Sequence, residues 1–278
     1  MNRRAWILSA LSALLGYAAD GLAQTPGTPF RIGVAPHTST RVIVEMYQPL
    51  RLFLEKTLGR PVEIVTAADF TEFARRAVQQ QYDLAITTGH QVRMLESDSG
   101  YLPLLTYKAE FKAVALVEAS SRFREPKDLA GTPAIGLSPA SLVTIWGQHW
   151  LLRNSVPGVT IRFVSASDSV AQLLLAGEGS VGFTSLANYQ SLAPAVQGRL
   201  RILAESLPMA GRVYALNRRN AAQKEKISAA LWAFAETDEA KQYFSKYRLE
   251  GYRRLEPREL IAMEPYANEV RQALKREK

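Results

Sequence analysis

His37, His90, Ser138 and Ser141 stand out because of what surrounds each of them in the chain. Residues 30–36 form an apolar, strand-like run ending in His37-Thr38-Ser39-Thr40, and residues 83–87 form another ending in Thr88-Gly89-His90. A third, residues 133–137, ends in Ser138-Pro139-Ala140-Ser141. A helical pattern follows each run at once. In open α/β sheets, ligands sit just beyond the carboxyl ends of strands, where helix N-termini offer unpaired N–H groups and a positive dipole end. The hydroxyls of Ser138 and Ser141, with the amides of the next helical turn, can cradle an oxyanion, and the two imidazoles can hydrogen-bond a polar ligand. The competing reading makes Ser141 a plain N-cap of the apolar helix from Leu142, and each histidine a packed or surface side chain.

Other chemistry lacks residues. A metal site needs a third or fourth ligand beside His37 and His90, and His149, in an apolar helix between Trp146 and Trp150, has no spacing that joins them. No metal or cofactor is expected. The nearest approach to a nucleophile elbow, Gly136-Leu137-Ser138-Pro139-Ala140, has Pro and Ala where the turn needs small, flexible residues. Gly177-Glu178-Gly179 precedes no helix, so it is not a dinucleotide fingerprint. Glu45, Glu55, Glu72 and Asp168 read as solvated or capping carboxylates. The chain is not expected to be an enzyme.

The elements that must position these residues alternate strand and helix, which argues a parallel-rich α/β fold. Strands are expected at 30–35, 61–66, 83–87, 132–137, 160–165 and 181–184, with helices at 41–58, 69–80, 141–154 and 168–176. Pro49 should kink the first helix or start it afresh near Gln48. Extended runs at 101–107, 111–119, 201–205 and 212–217 break the rhythm and read as crossings between two lobes. Residues 221–276 read as helical throughout, broken near Gly251 and Pro257. The inference is one lobe from residues 24–108 and 207–278, a second from 109–206 inserted into it, and a cleft between them that two hinge crossings can close.

The first residues read as an export signal rather than as fold. Arg3 and Arg4 precede an apolar run from Ala5 to Ala19, and Gly21-Leu22-Ala23 is a small-residue cleavage pattern. Cleavage near Ala23 would deliver the protein to the periplasm and leave about 255 residues, enough for two modest cores. There is no cysteine, so disulfide and thiolate chemistry are excluded. The net charge of +8 suits an anionic ligand, and no aromatic-plus-basic stripe suggests nucleic acid.

Arg31-Ile32-Gly33-Val34-Ala35-Pro36, Tyr47-Gln48-Pro49-Leu50, Leu58-Gly59-Arg60-Pro61-Val62-Glu63 and Ala67-Ala68-Asp69-Phe70 together resemble the opening of the phosphonate-, phosphite- and phosphate-binding proteins of ABC transporters. Tyr82-Asp83-Leu84-Ala85, Asp128-Leu129-Ala130-Gly131, Ser138-Pro139-Ala140-Ser141 and Ala176-Gly177-Glu178-Gly179 continue the match in order. The resemblance implies an α/β, two-lobe type II periplasmic binding protein. It also implies a small-molecule anionic ligand, an ABC permease as partner and a monomer; the alternative partner is a signalling receptor such as a histidine kinase. In that family an Asp-Pro-x-Ser-Thr-Ser-Gly turn binds the oxyanion. Here its Asp is Ser138, its first Ser is Ser141 and the Thr-Ser pair is Leu142-Val143. A family histidine is Ser167, an acidic residue is Ser180, and the usual Gly-Pro is Gly89-His90. A phosphonate bearing an amine, which would want that acidic residue, is therefore disfavoured. Tyr47, His90, Tyr107, Ser138, Ser141 and Thr184 are expected to line the cleft, with His37 at its edge. His90 is expected to donate a hydrogen bond to the ligand and to make anion binding depend on pH.

Overall fold

The computed structural model describes residues 28–276, so the expected export signal lies outside the described residues. β1 (Phe30–Val34), α1 (Thr40–Leu58), β2 (Val62–Val65), α2 (Phe70–Val78) and β3 (Leu84–Thr88) open the fold. α1 buries Ile43, Met46, Tyr47, Leu50 and Leu54 along one stripe, and Gly59 ends it at φ 68. α1 runs through Pro49, so the expected fresh start near Gln48 does not occur. Proline costs the helix one backbone hydrogen bond, and the buried residues on either side of Pro49 hold the register. α2 begins where the Asp69 carboxylate accepts from the Thr71 and Glu72 amides, at 2.7 and 2.9 Å. α3 (Gly89–Ser99) and β4 (Leu102–Tyr107) follow.

The middle of the chain builds a second sheet. β5 (Ala113–Glu118), β6 (Pro133–Gly136), α4 (Leu142–Arg153), β7 (Thr160–Phe163), α5 (Ser167–Leu175) and β8 (Val181–Ser185) come first. The short helices α6 (Leu186–Gln190) and α7 (Pro194–Gln197) lead to β9 (Leu200–Glu205). β10 (Arg212–Leu216) then returns to the first sheet, followed by α8 (Lys224–Ala235), α9 (Asp238–Lys246), β11 (Tyr252–Arg253) and α10 (Glu264–Arg276). β11 departs from the all-helical expectation for 221–276: it pairs antiparallel to β4, with Tyr252 opposite Tyr107.

The first sheet has the order β11-β4-β10-β3-β1-β2 and the second β7-β6-β8-β5-β9. Parallel pairs carry the strand-to-helix turns: β1 with β2 and β3, and β6 with β7 and β8. Only two segments link the sheets, residues 108–112 and 206–211, and they touch through a Phe111–Met209 bridge. The Gly89 amide donates to the carbonyls of Ala210 and Gly211 at 3.1 and 2.9 Å. A Cβ at Gly89 would come 2.3 Å from that of Ala210, so glycine lets the β3–α3 turn press against the returning crossing.

One apolar core packs α1, α8 and α9 on one face of the first sheet. The other is continuous from Phe73, Val92 and Leu95, through Ala267 and Val270 of α10, to Trp146 of α4 and Phe183 of β8. α10 packs on α2, α3 and α4 together. Among the described residues, no helix is long and apolar enough to cross a membrane.

Candidate ligand-binding site

The two strand-end histidines serve different partners. At the end of β3, His90 is fully buried. Its Nε2 lies 3.0 Å from the Ala140 carbonyl of the second sheet's turn, and its Nδ1 lies 3.0 Å from the Thr88 hydroxyl. A carbonyl only accepts, so Nε2 carries the proton and Nδ1 accepts from Thr88. Gln91 donates to the same Ala140 carbonyl at 3.2 Å and to Phe70 at 3.0 Å, while Thr87 donates to Gln91 at 2.7 Å. Burial pushes the His90 pKa down to about 4, against the pull of its Ala140 hydrogen bond. Both ring nitrogens are engaged within the protein and the ring is neutral near pH 7. The expectation of a ligand-facing, titrating His90 is corrected accordingly: the ring is a clasp between the sheets.

At the end of β1, His37 is half-buried. Its Nδ1 lies 2.9 Å from the Ala35 carbonyl and its Nε2 lies 2.9 Å from Nη1 of Arg212. Arginine can only donate, so Nε2 accepts and Nδ1 donates to Ala35. Burial first, and the Arg212 charge second, lower the His37 pKa to about 3. The Ser167 hydroxyl of the second sheet donates to the His37 carbonyl at 3.3 Å.

Arg212 was absent from the expected site. It opens β10 directly after the second crossing, opposite Thr88 of β3. Its Nη1 also reaches the Tyr47 hydroxyl at 3.4 Å and the Met46 sulfur at 3.7 Å, and the guanidinium carbon sits 5.1 Å from the Tyr107 ring centre. Behind it lies a web of phenols. The Tyr107 hydroxyl contacts those of Tyr214 at 2.6 Å, Tyr47 at 3.4 Å and Tyr243, and Tyr214 reaches Tyr252 at 2.9 Å. Burial pushes the Tyr107, Tyr214, Tyr243 and Tyr252 phenols up, so all four stay neutral near pH 7. The one sequence signal for this group is local: Arg212 and Tyr214 are two apart on a strand and share a face.

Tyr47, Tyr107 and His37 thus meet at Arg212, whereas His90 meets the 138–141 turn. Ser138 is buried and its hydroxyl has no hydrogen-bond partner among the described residues. Ser141 is the N-cap residue of α4, but its side chain makes no capping bond; its amide donates to the Ser138 carbonyl at 2.9 Å. Thr184 is buried and its hydroxyl accepts from Asn188 at 3.4 Å, within the second sheet's own surroundings. His149 lies apart, 3.4 Å from a Glu269 carboxylate oxygen and stacked on Tyr266. A cavity of about 580 Å³ behind the crossings, walled by Phe111, Met209, Arg253 and Glu259, takes only Tyr107 from the expected residues. Among the described residues, no three His, Cys, Asp or Glu side chains converge as a metal site would need.

Residues 32–260 match the model of the ABC-transporter phosphonate family of periplasmic substrate-binding proteins. The chain belongs to that family. Its members bind solutes for transport and are not a class of enzymes, and membership implies a periplasmic location, a small-molecule ligand and a permease partner. The fold is that of type II periplasmic binding proteins. The family protein is similar in structure to XAC2383 from Xanthomonas citri bound to chloride ion, at TM-score 0.74 and 19% identity over 88% of this chain and 99% of that one. It is also similar to PhnD1 from Prochlorococcus marinus in complex with methylphosphonate, at 0.75 and 13% over 87% and 98%. A third likeness, at 0.74 and 13% over 89% and 94%, is to a binding-protein component of an ABC phosphonate transporter from Pseudomonas aeruginosa. Comparison with curated protein sequences gave no match.

Proposed function

We propose that this protein closes two lobes, residues 24–108 with 207–278 and residues 109–206, around a small polar anion and presents it to an ABC permease. The observation that carries the reading is the pair of contacts between two sheets that only two crossings join. The Ala140 carbonyl is gripped by His90 and Gln91, and the Ser167 hydroxyl rests on the His37 carbonyl. Such contacts are what a hinged jaw makes when shut. Arg212, beside His37, and the unpartnered Ser138 hydroxyl, in the turn that holds Ala140, offer hydrogen-bond donors, and anions suit donors with positive charge. The neighbour solved with methylphosphonate is consistent with an oxyanion as the solute.

Small-angle scattering of the protein lacking residues 1–23 tests this reading. A solute chosen from a thermal-shift panel of oxyanions and organic acids should compact the particle and add roughly 3 kcal/mol of stability at a hundredfold excess over its Kd. Unchanged scattering and melting with every solute in the panel would overturn it.

A further inference from the structure

We infer that Arg212 is the charge that holds the solute; this deepens, and rests on, the solute-binding reading above. Three observations on the guanidinium carry it. First, all its hydrogen bonds to described residues leave from Nη1, to His37, Tyr47 and the Met46 sulfur. The Nε and Nη2 edge, the parallel fork that matches two oxygens of one acid group, has no partner among the described residues.

Second, the charge is uncompensated. No Asp or Glu among the described residues lies within 4.0 Å of it, and the four phenols of the web remain neutral. The Tyr107 face attracts a cation without neutralising it. A desolvated charge lacking an opposite charge destabilises a fold by itself. An arriving anion removes that penalty. Third, His37 fixes the group: its Nδ1 is tied to Ala35, so Nε2 can only accept, which engages Nη1 of Arg212 and leaves the Nε and Nη2 edge unengaged by this ring. His37 is therefore a positioning residue.

Titration calorimetry with methylphosphonate, ethanesulfonate, inorganic phosphate, arginine and glutamine tests the inference. The protein should bind at least one of the first three. Arg212→Met should weaken the bound oxyanion by at least about thirtyfold, the lower range for truncating one side of a desolvated charge pair. The same variant without solute should melt at or above the parent temperature, because it removes an unpaired charge; a merely structural arginine would lower it. Arg212→Lys keeps the charge but loses the fork, and should fall between the two; it also serves if Arg212→Met does not fold. Affinity within about threefold of the parent in both variants would overturn the inference. So would a parent protein that binds none of the three oxyanions, or prefers arginine or glutamine. In that last case the solute-binding reading stands; it fails separately, when no solute of any charge closes the lobes.

Discussion

The turns after β1 and β3 lie side by side in one sheet, each carries a histidine, and the two rings do opposite things. His90 is sealed and holds the neighbouring sheet's turn by a carbonyl. His37 is half open and holds a cation, which leaves that cation's free edge available. Both rings have an occupied acceptor nitrogen and a donated proton, so neither is a spare ligand group. A histidine at a strand end is thus defined by which partner its accepting nitrogen takes: a hydroxyl makes it a clasp, and a guanidinium makes it a positioner.

The largest effect that can break this comparison is expected at His90. His90→Ala leaves the Thr88 hydroxyl and part of the Ala140 carbonyl unpaired in a buried space, and should cost about 2–4 kcal/mol in chemical denaturation. It should also open the lobes in scattering without altering the pH dependence of oxyanion binding between pH 5.5 and about 8, the range of an unperturbed histidine. A pH dependence that vanishes in this variant would restore His90 as a ligand group.

Acid should expose the two rings in sequence. Both folded pKa values are depressed, so the unfolded chain takes up protons first. The stabilisation is complete above the ordinary histidine pKa of 6.5 and is lost as pH falls, down to about 4 for His90 and about 3 for His37. For a fully buried ring the slope approaches about 1.4 kcal/mol per pH unit. Denaturation curves between pH 7 and 4 should show it, and His90→Gln should flatten it; an unchanged slope would mean the ring is not held neutral.

His37→Gln sharpens the other half of the comparison. Its amide oxygen can still accept from Arg212 but lacks the rigid tie to Ala35, so oxyanion affinity should drop a fewfold, under about 1.4 kcal/mol. Calorimetry that finds no change would deny His37 its positioning role. The smallest effect belongs to Ser141→Ala. Because that hydroxyl makes no capping bond, the loss should stay below the roughly 1 kcal/mol of an engaged cap, such as Asp69→Ala should show.

The strand-end turns were legible because short apolar runs followed by helical spacing are local signals. His37, His90 and Ser138 were found that way. The cluster around Arg212 was not, because residues 47, 107, 212, 214, 243 and 252 belong to five separate elements that meet through the order β11-β4-β10. Strand order between distant segments leaves no periodic trace. β11 was missed for the same reason: two residues become a strand only by pairing with β4. A fresh start near Gln48 fails because Met46, Tyr47, Leu50 and Leu54 are buried on both sides of Pro49 and hold α1 as one helix.

α10 touches α2 and α3 on one side and α4 on the other, and the apolar interior runs through it without a gap. Two lobes joined only by strands could lose their structure independently, each with its own transition. Here the last helix belongs to both interiors at once, so neither lobe can be released from its packing while the other keeps it. The shared interior gives the molecule a single cooperative unit: it should denature in one step, with one transition for both lobes.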